Sequence, residues 1–146
     1  NLCSALNTKK TFMASLFYSL NKTHYDKISK AIKTINLENK KNFTAKKLSH
    51  GEKQWLEIGM LLMQEPDLLL IDEPVAGMTE FETSNTATLL KTIAKKRTIL
   101  VVEHDMNFVE SLDVEIVVLH EGAVLTRGNM NSIKKNKQVI DVYLGR

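Results

Sequence analysis

The sequence predicts an α/β fold built on a parallel sheet. Leu68-Leu69-Leu70-Ile71 and Thr98 to Val102 are short apolar runs without alternation, as strands covered on both faces require. Between them, Glu80 to Lys95 repeats its apolar residues at helical intervals, and strand, helix, strand in that order sets the two strands parallel. Ile71 then runs straight into Asp72 and Glu73. Two carboxylates therefore stand just past the carboxyl end of a strand, where sheets of this kind hold their ligands.

The bulk numbers bound the remaining possibilities. A chain of 146 residues can build one ordinary domain with a real core. It is 43% apolar and 25% charged, close to the globular average, so it is not a disordered chain. A net charge of +3 suits an anionic small ligand as well as nucleic acid and selects neither. Cys3 is the only cysteine, so no internal disulfide framework is expected and a cytosolic setting fits. No apolar run reaches the ~18 residues of a membrane helix. No basic start followed by an apolar block marks a secretory signal.

Taken in order, Asn1 to Lys47 is polar and helical in character. Phe12, Leu16 and Leu20 recur at helical intervals, and Ile28, Ala31, Ile32 and Ile35 form one stripe over Asp26 to Ile35. Asn36 to Lys47 reads as a basic connector whose lysines form a solvated face. Glu52 to Gln64 reads as a helix with Trp55, Ile58 and Leu62 on one side and Leu56, Met60 and Met63 on another. Pro66 stops it, because the residue before a proline is disfavoured in helical geometry. Leu68 to Ile71 is the buried strand, Pro74 to Thr79 a loop, and Glu80 to Lys95 a helix with Leu89, Leu90 and Ile93 inward. Thr98 to Val102 is the second strand, and Met106 to Leu112 a short helix. Glu115 to His120 and Ala123 to Arg127 flank Glu121-Gly122 as a hairpin. Met130 to Leu144 is helical with a break near Asn136.

Asp72 is the candidate metal residue. A carboxylate at the tip of a rigid strand can hold a hard cation such as Mg2+, usually through water, with little reorganisation. The lesser alternative is an Asp that caps the turn that follows. Glu73 is the candidate general base for a water attacking a phosphate, or else a surface residue before Pro74. His104 follows a strand and could hydrogen-bond a terminal phosphate; a lone histidine there is also commonly structural. Ser49, His50 and Gly51 precede a helix, whose free N–H groups and positive end suit an anion, and Gly51 allows close backbone approach. Taken alone, these residues are better read as a Ser49 N-cap with Glu52 nearby.

The three segments together resemble a family. Leu48-Ser49-His50-Gly51-Glu52 resembles the signature motif of ATP-binding cassette (ABC) proteins. Leu68 to Glu73 resembles their Walker B strand, Ala76-Gly77-Met78-Thr79 their D-loop, and His104 their switch histidine. Four further stretches are similar to the ATPase subunit of urea-type importers, relatives of the branched-chain amino-acid importers. They are Lys53 to Ile58, Pro74 to Thr79, Glu103 to Met106, and the ending Val142 to Arg146.

The resemblance implies the C-terminal part of a nucleotide-binding domain, with part of a RecA-like parallel sheet and most of the helical signature subdomain. Residues 1–64 would be that subdomain, 65–128 the α/β core portion and 129–146 a helical tail. It implies ATP and Mg2+ as cofactors and head-to-tail pairing with a second ATPase subunit. Ser49, His50, Gly51 and Glu52 would face ATP held by that partner, with Ser49 and Gly51 on its γ-phosphate. Asp72 would position Mg2+, Glu73 would act as base, and His104 would stabilise transition-state charge. It also implies transmembrane permease partners, a place on the cytoplasmic face of the membrane, and no nucleic-acid partner.

Three departures stand out. Glu52 replaces the usual Gln and brings negative charge to an anion site, unless it turns away to Lys53. Thr79 stands where many cassettes carry Asp. No glycine of the chain has the G-x-x-x-x-G-K-[ST] spacing of a phosphate-binding loop. With Asn1 in place of a starting Met, the expectation is a fragment lacking its front half. The alternatives are a non-catalytic piece lending its signature motif in trans, and a soluble cassette acting outside transport.

Overall fold

The computed structural model describes residues 2 and 22–143. Cys3, the Phe12 to Leu20 stripe and the end of the chain from Leu144 lie outside the described residues. The chain divides into two compact units, Asn1–Val102 and Glu103–Arg146. The fold class is α/β with a parallel sheet, as the strand–helix–strand order predicts.

In the first unit, α1 spans Lys22–Thr34. Its apolar stripe buries Ala31, with Ile28 and Ile32 half-buried against Leu2 and Met63. Asn36, with φ 56°, turns the chain out of the helix, as residues tolerant of left-handed geometry do. The basic connector condenses into two single turns, Glu38–Lys40 and Ala45–Lys47. Helix α2, His50–Leu62, begins two residues before the Glu52 start expected from sequence. Ser49 and Glu52 close a reciprocal capping box that satisfies the first backbone donors. Both apolar faces of α2 are used: Trp55 and Ile58 are buried, while Leu56 and Met60 pack with Met63 against Ala31. Gly59 is required by close approach, since a Cβ there would lie 2.7 Å from Ile35 Cδ1.

Strand β1, Leu68–Asp72, pairs in parallel with β2, Thr98–Val102, in the register Leu68↔Thr98 through Asp72↔Val102. The crossover is α3, Glu80–Ala94, capped by Thr79 and burying Leu89, Leu90 and Ile93 as its periodicity predicts. Trp55 Nε1 donates to the buried Thr86 Oγ1 at 2.8 Å, and Thr86 Oγ1 donates to Glu82 O at 2.8 Å, which ties α2 to α3.

One expectation fails here. Strand β1 is not buried on both faces. Leu69 and Ile71 are 2% and 8% exposed, but Leu68 and Leu70 are 50% and 65% exposed. Among the described residues the parallel sheet has two strands, and the face bearing Leu68, Leu70, Leu100 and Val102 is open. Alternation of facing is dictated by the strand; burial of both faces needs a second layer.

In the second unit, Asp105 caps α4, Met106–Leu112, through bonds from the Asn107 and Phe108 N–H groups, and Phe108 and Leu112 are buried. Strands β3, Ile116–His120, and β4, Ala123–Gly128, form the expected hairpin. Its two-residue turn has φ 48° at Glu121 and 78° at Gly122, matching a primed turn between twisted strands. The register slips by one residue opposite Val118/Leu119, leaving Leu125 as a bulge. Short helices α5, Met130–Ile133, and α6, Lys137–Tyr143, follow, with Asn136 at the expected break accepting from Gln138 N at 2.9 Å. The Tyr143 hydroxyl donates to Leu119 O, seating the end of α6 on the hairpin.

Candidate functional site

The signature-like turn is built by its own cap. Ser49 is extended, with ψ 174°, so its hydroxyl reaches forward to accept from Glu52 N at 3.2 Å. Glu52 Oε2 accepts from Ser49 N at 3.0 Å. The N-cap reading of Ser49 is therefore correct locally. Glu52 turns to Lys40 rather than to Lys53. Its Oε1 accepts a hydrogen bond from Lys40 Nζ, because the turn at Glu38–Lys40 brings that lysine over the start of α2. Burial raises the Glu52 pKa, but the Lys40 and Ser49 hydrogen bonds outweigh it and hold the carboxyl below the usual glutamate value. The charge at the family's Gln position is thus paired within the chain.

That pairing has a pH signature. A carboxylate whose folded pKa is depressed contributes stability above the unfolded value and loses it as pH falls through the folded one. The contribution of the Lys40–Glu52 pair is expected in full near pH 7 and fades as pH falls through the folded value. Lys40→Met should therefore lower the thermal midpoint more at pH 7 than at pH 3. Equal lowering at both, in melts followed by circular dichroism, would refute the pairing.

The D-loop-like segment sits against this turn. His50 Nε2 lies 3.1 Å from Ala76 O. Gly77 has φ 70°, and Met78 N donates to Val75 O at 3.1 Å, so the loop folds back on itself. Thr79 caps α3 through a second capping box, with Glu82 as its reciprocal partner. Glu82 also reaches across 33 residues of sequence to accept from Ser49 Oγ at 2.9 Å. A Cβ on Gly51 would lie 2.7 Å from Glu82 Cδ and Oε1, so a larger residue there would push the Glu82 side chain aside. Sequence reasoning missed Glu82. The pattern Thr79-x-x-Glu82 marks it as a capping residue, but nothing local marks the contact with Ser49.

The acid pair occupies the tip of β1 in the same unit. Asp72 is the last strand residue and is exposed. Glu73 follows with φ 44°, and its N–H donates to Val102 O at 2.9 Å. Asn36, Glu65, Asp113 and Glu121 share the left-handed region, but they lie at helix ends or in the hairpin turn, where that geometry is routine. At Glu73 the left-handed backbone breaks the strand and presents the carboxylate, and such outliers gather at functional sites.

Among the described residues no cluster of three or more His, Cys, Asp or Glu could cage a metal. Mg2+ suits this donor set only because it keeps several waters and takes its remaining oxygens from phosphates, so one carboxylate can suffice. A groove of about 440 Å³ lined by Ala45, Lys46, Lys53, Leu56, Glu57 and Met60 contains none of the candidate residues.

His104 belongs to the second unit. Its backbone N–H and that of Asp105 donate to Glu103 Oε2 at 2.9 and 3.3 Å. The Glu103 side chain is 2% exposed, whereas the His104 ring is 77% exposed, so a buried carboxylate shapes the turn that displays the ring.

Comparison with known proteins agrees with these features. The ABC transporter family profile matches residues 4–76, half of the chain. The high-affinity branched-chain amino acid transport ATP-binding protein BraF of Pseudomonas aeruginosa is 36% identical over 116 residues, covering 78% of this chain and 46% of BraF. An ATP-binding cassette of an ABC transporter in its ADP conformation superposes with TM-score 0.78 at 24% identity, covering 99% of this chain and 63% of that one. A bacterial ABC transporter cassette solved as a dimer gives TM-score 0.63 at 23% identity, over 77% of this chain and 50% of that one. The chain thus spans about half the length of its sequence relative. With the profile covering the signature turn and the acid-bearing strand, this chain belongs to the ABC transporter family.

Proposed function

We propose that this chain is part of the ATP-hydrolysing subunit of an ABC importer that moves branched-chain amino acids across a membrane. One observation carries the reading. The Ser49 turn and the Ala76 to Thr79 loop are bonded together in the unit whose strand tip bears Asp72 and Glu73. The name of BraF supports the cargo. Urea is the alternative cargo, raised by the stretches Lys53 to Ile58, Pro74 to Thr79, Glu103 to Met106 and Val142 to Arg146 together. Parallel uptake assays with labelled leucine and labelled urea separate the two.

In this reading residues 1–64 form the signature subdomain, 65–128 the nucleotide-binding core portion and 129–146 the tail. Asp72 would hold Mg2+, which supplies positive charge against the triphosphate when bound. Glu73 takes the proton of the attacking water, and the exposed position of its side chain gives water access. The Ser49 hydroxyl and the Gly51 N–H donate to the γ-phosphate of ATP held by a second cassette, as preorganised donors should. His104 would stabilise the charge that develops in the transition state. The relative solved as a dimer supports such pairing. Among the described residues no helix is long and apolar enough to cross a membrane. The permease contact in this reading is a peripheral one on the cytoplasmic side.

These 146 residues contain no G-x-x-x-x-G-K-[ST] cradle, so the ATP bound by a complete site must be gripped elsewhere. The chain alone is expected to bind ATP with a dissociation constant weaker than ~1 mM, about 4 kcal/mol of binding free energy. Micromolar affinity by titration calorimetry overturns this expectation. A second reading is a non-catalytic piece that lends its Ser49 face in trans. In that case Glu73→Gln leaves the turnover of the assembled pair unchanged, while Ser49→Ala lowers it.

A further inference from the structure

We propose that the Glu82 carboxylate is an internal occupant of the phosphate-contacting groups of the Ser49 turn, and that an incoming phosphate must displace it. The proposal rests on the assignment of Ser49 and Gly51 to phosphate contact.

The groups named as phosphate donors already hold an anion. Ser49 Oγ donates to Glu82 Oε1 at 2.9 Å. The Glu82 carboxylate also lies against Gly51: the place where a Gly51 side chain would begin is filled by Glu82 Cδ and Oε1 at 2.7 Å. Carboxylate and phosphate oxygens make the same demand on a helix start, acceptance from N–H and hydroxyl donors beside positive dipole charge. They cannot satisfy it together in the space that a single Cβ would overfill.

The occupant is tethered. Glu82 Oε2 accepts from Thr79 N at 3.1 Å and from Thr79 Oγ1 at 2.9 Å, so the side chain is anchored on the loop that precedes α3. Displacement from Ser49 breaks the bond to Oε1 and can leave the Thr79 capping box intact. A phosphate at Ser49 is then signalled to the Ala76 to Thr79 loop as the loss of a strap. The Thr79 N–H, the Ser49 hydroxyl and the Thr79 hydroxyl hold the Glu82 carboxyl below the usual glutamate value. It therefore remains ionised at neutral pH, where it competes with phosphate as a full charge.

The test uses the 146-residue chain, labelled with nitrogen-15 and titrated with inorganic tripolyphosphate. Glu82→Gln keeps the capping box, since Gln serves as well as Glu at its third position, but removes the competing charge. The Ser49 and Gly51 amides should move at about tenfold lower tripolyphosphate in Glu82→Gln than in the parent chain, the factor expected if the donors are free about one tenth of the time. Glu82→Ala should shift the affinity in the same direction, whereas a purely structural glutamate predicts weaker binding in both variants. Adding Ser49→Ala to Glu82→Gln should abolish the tightening. Equal affinity in parent and Glu82→Gln overturns the occupant role and leaves the Ser49 assignment standing. Ser49 and Gly51 amides that stay fixed in both proteins overturn the assignment and the occupant role with it.

Discussion

Glu73→Gln, in a complete cassette carrying this chain, is expected to lower ATP turnover by about 10²- to 10⁴-fold, the usual worth of a positioned general base. Nucleotide-driven pairing should survive, because the substitution changes neither the shape of the side chain nor its backbone anchor. That anchor is the bond from Glu73 N to Val102 O, which a glutamine retains. The thermal midpoint should be unchanged for the same reason. A steady-state assay with phosphate release as readout decides the matter, and a near-normal rate removes Glu73 from the role of base. Asp72, one residue earlier and still within the ladder, points its role elsewhere: it is held by the strand, while Glu73 is released from it by the left-handed turn.

The second large effect concerns stability. Leu69→Ala is expected to destabilise the 146-residue chain by about 2–5 kcal/mol, through lost transfer energy and the cavity left beneath β1. Leu69 is 2% exposed, so almost none of its side chain is in water before the change. Leu70→Ala, its neighbour on the same strand, should cost no more than about 0.5 kcal/mol, as surface substitutions do. Leu70 is 65% exposed. Urea denaturation of the two variants measures the contrast directly. If Leu70→Ala proves as costly as Leu69→Ala, the open face is covered in solution and the one-sided burial of β1 is wrong.

The elements that sequence made legible are those whose signal is local. Leu89, Leu90 and Ile93 recur at helical spacing and face inward as expected. Glu121-Gly122 separates two apolar runs by two residues and forms the hairpin turn, with positive φ at both positions. Asp72 and Glu73 follow an apolar run with no spacer, so their place at a strand tip could be read directly. What escaped is set by tertiary context. An unbroken apolar run states what a strand could bury, not which layers are present to bury it, and β1 is covered on one face only. Lys40 reaches Glu52 across 12 residues and Ser49 reaches Glu82 across 33, through polar side chains that carry no periodicity. The Glu82 carboxylate that lies against Gly51 carries no local signal either.

Trp55 is the only tryptophan in the chain, and its indole N–H bonds to Thr86 across the junction of α2 and α3. Indole emission depends on that bond and on the dryness of its surroundings, so the native chain contains its own fluorophore at the joint linking α2 to α3. Ligand-driven movement between these two helices can be followed in real time by stopped-flow optics, with no extrinsic dye.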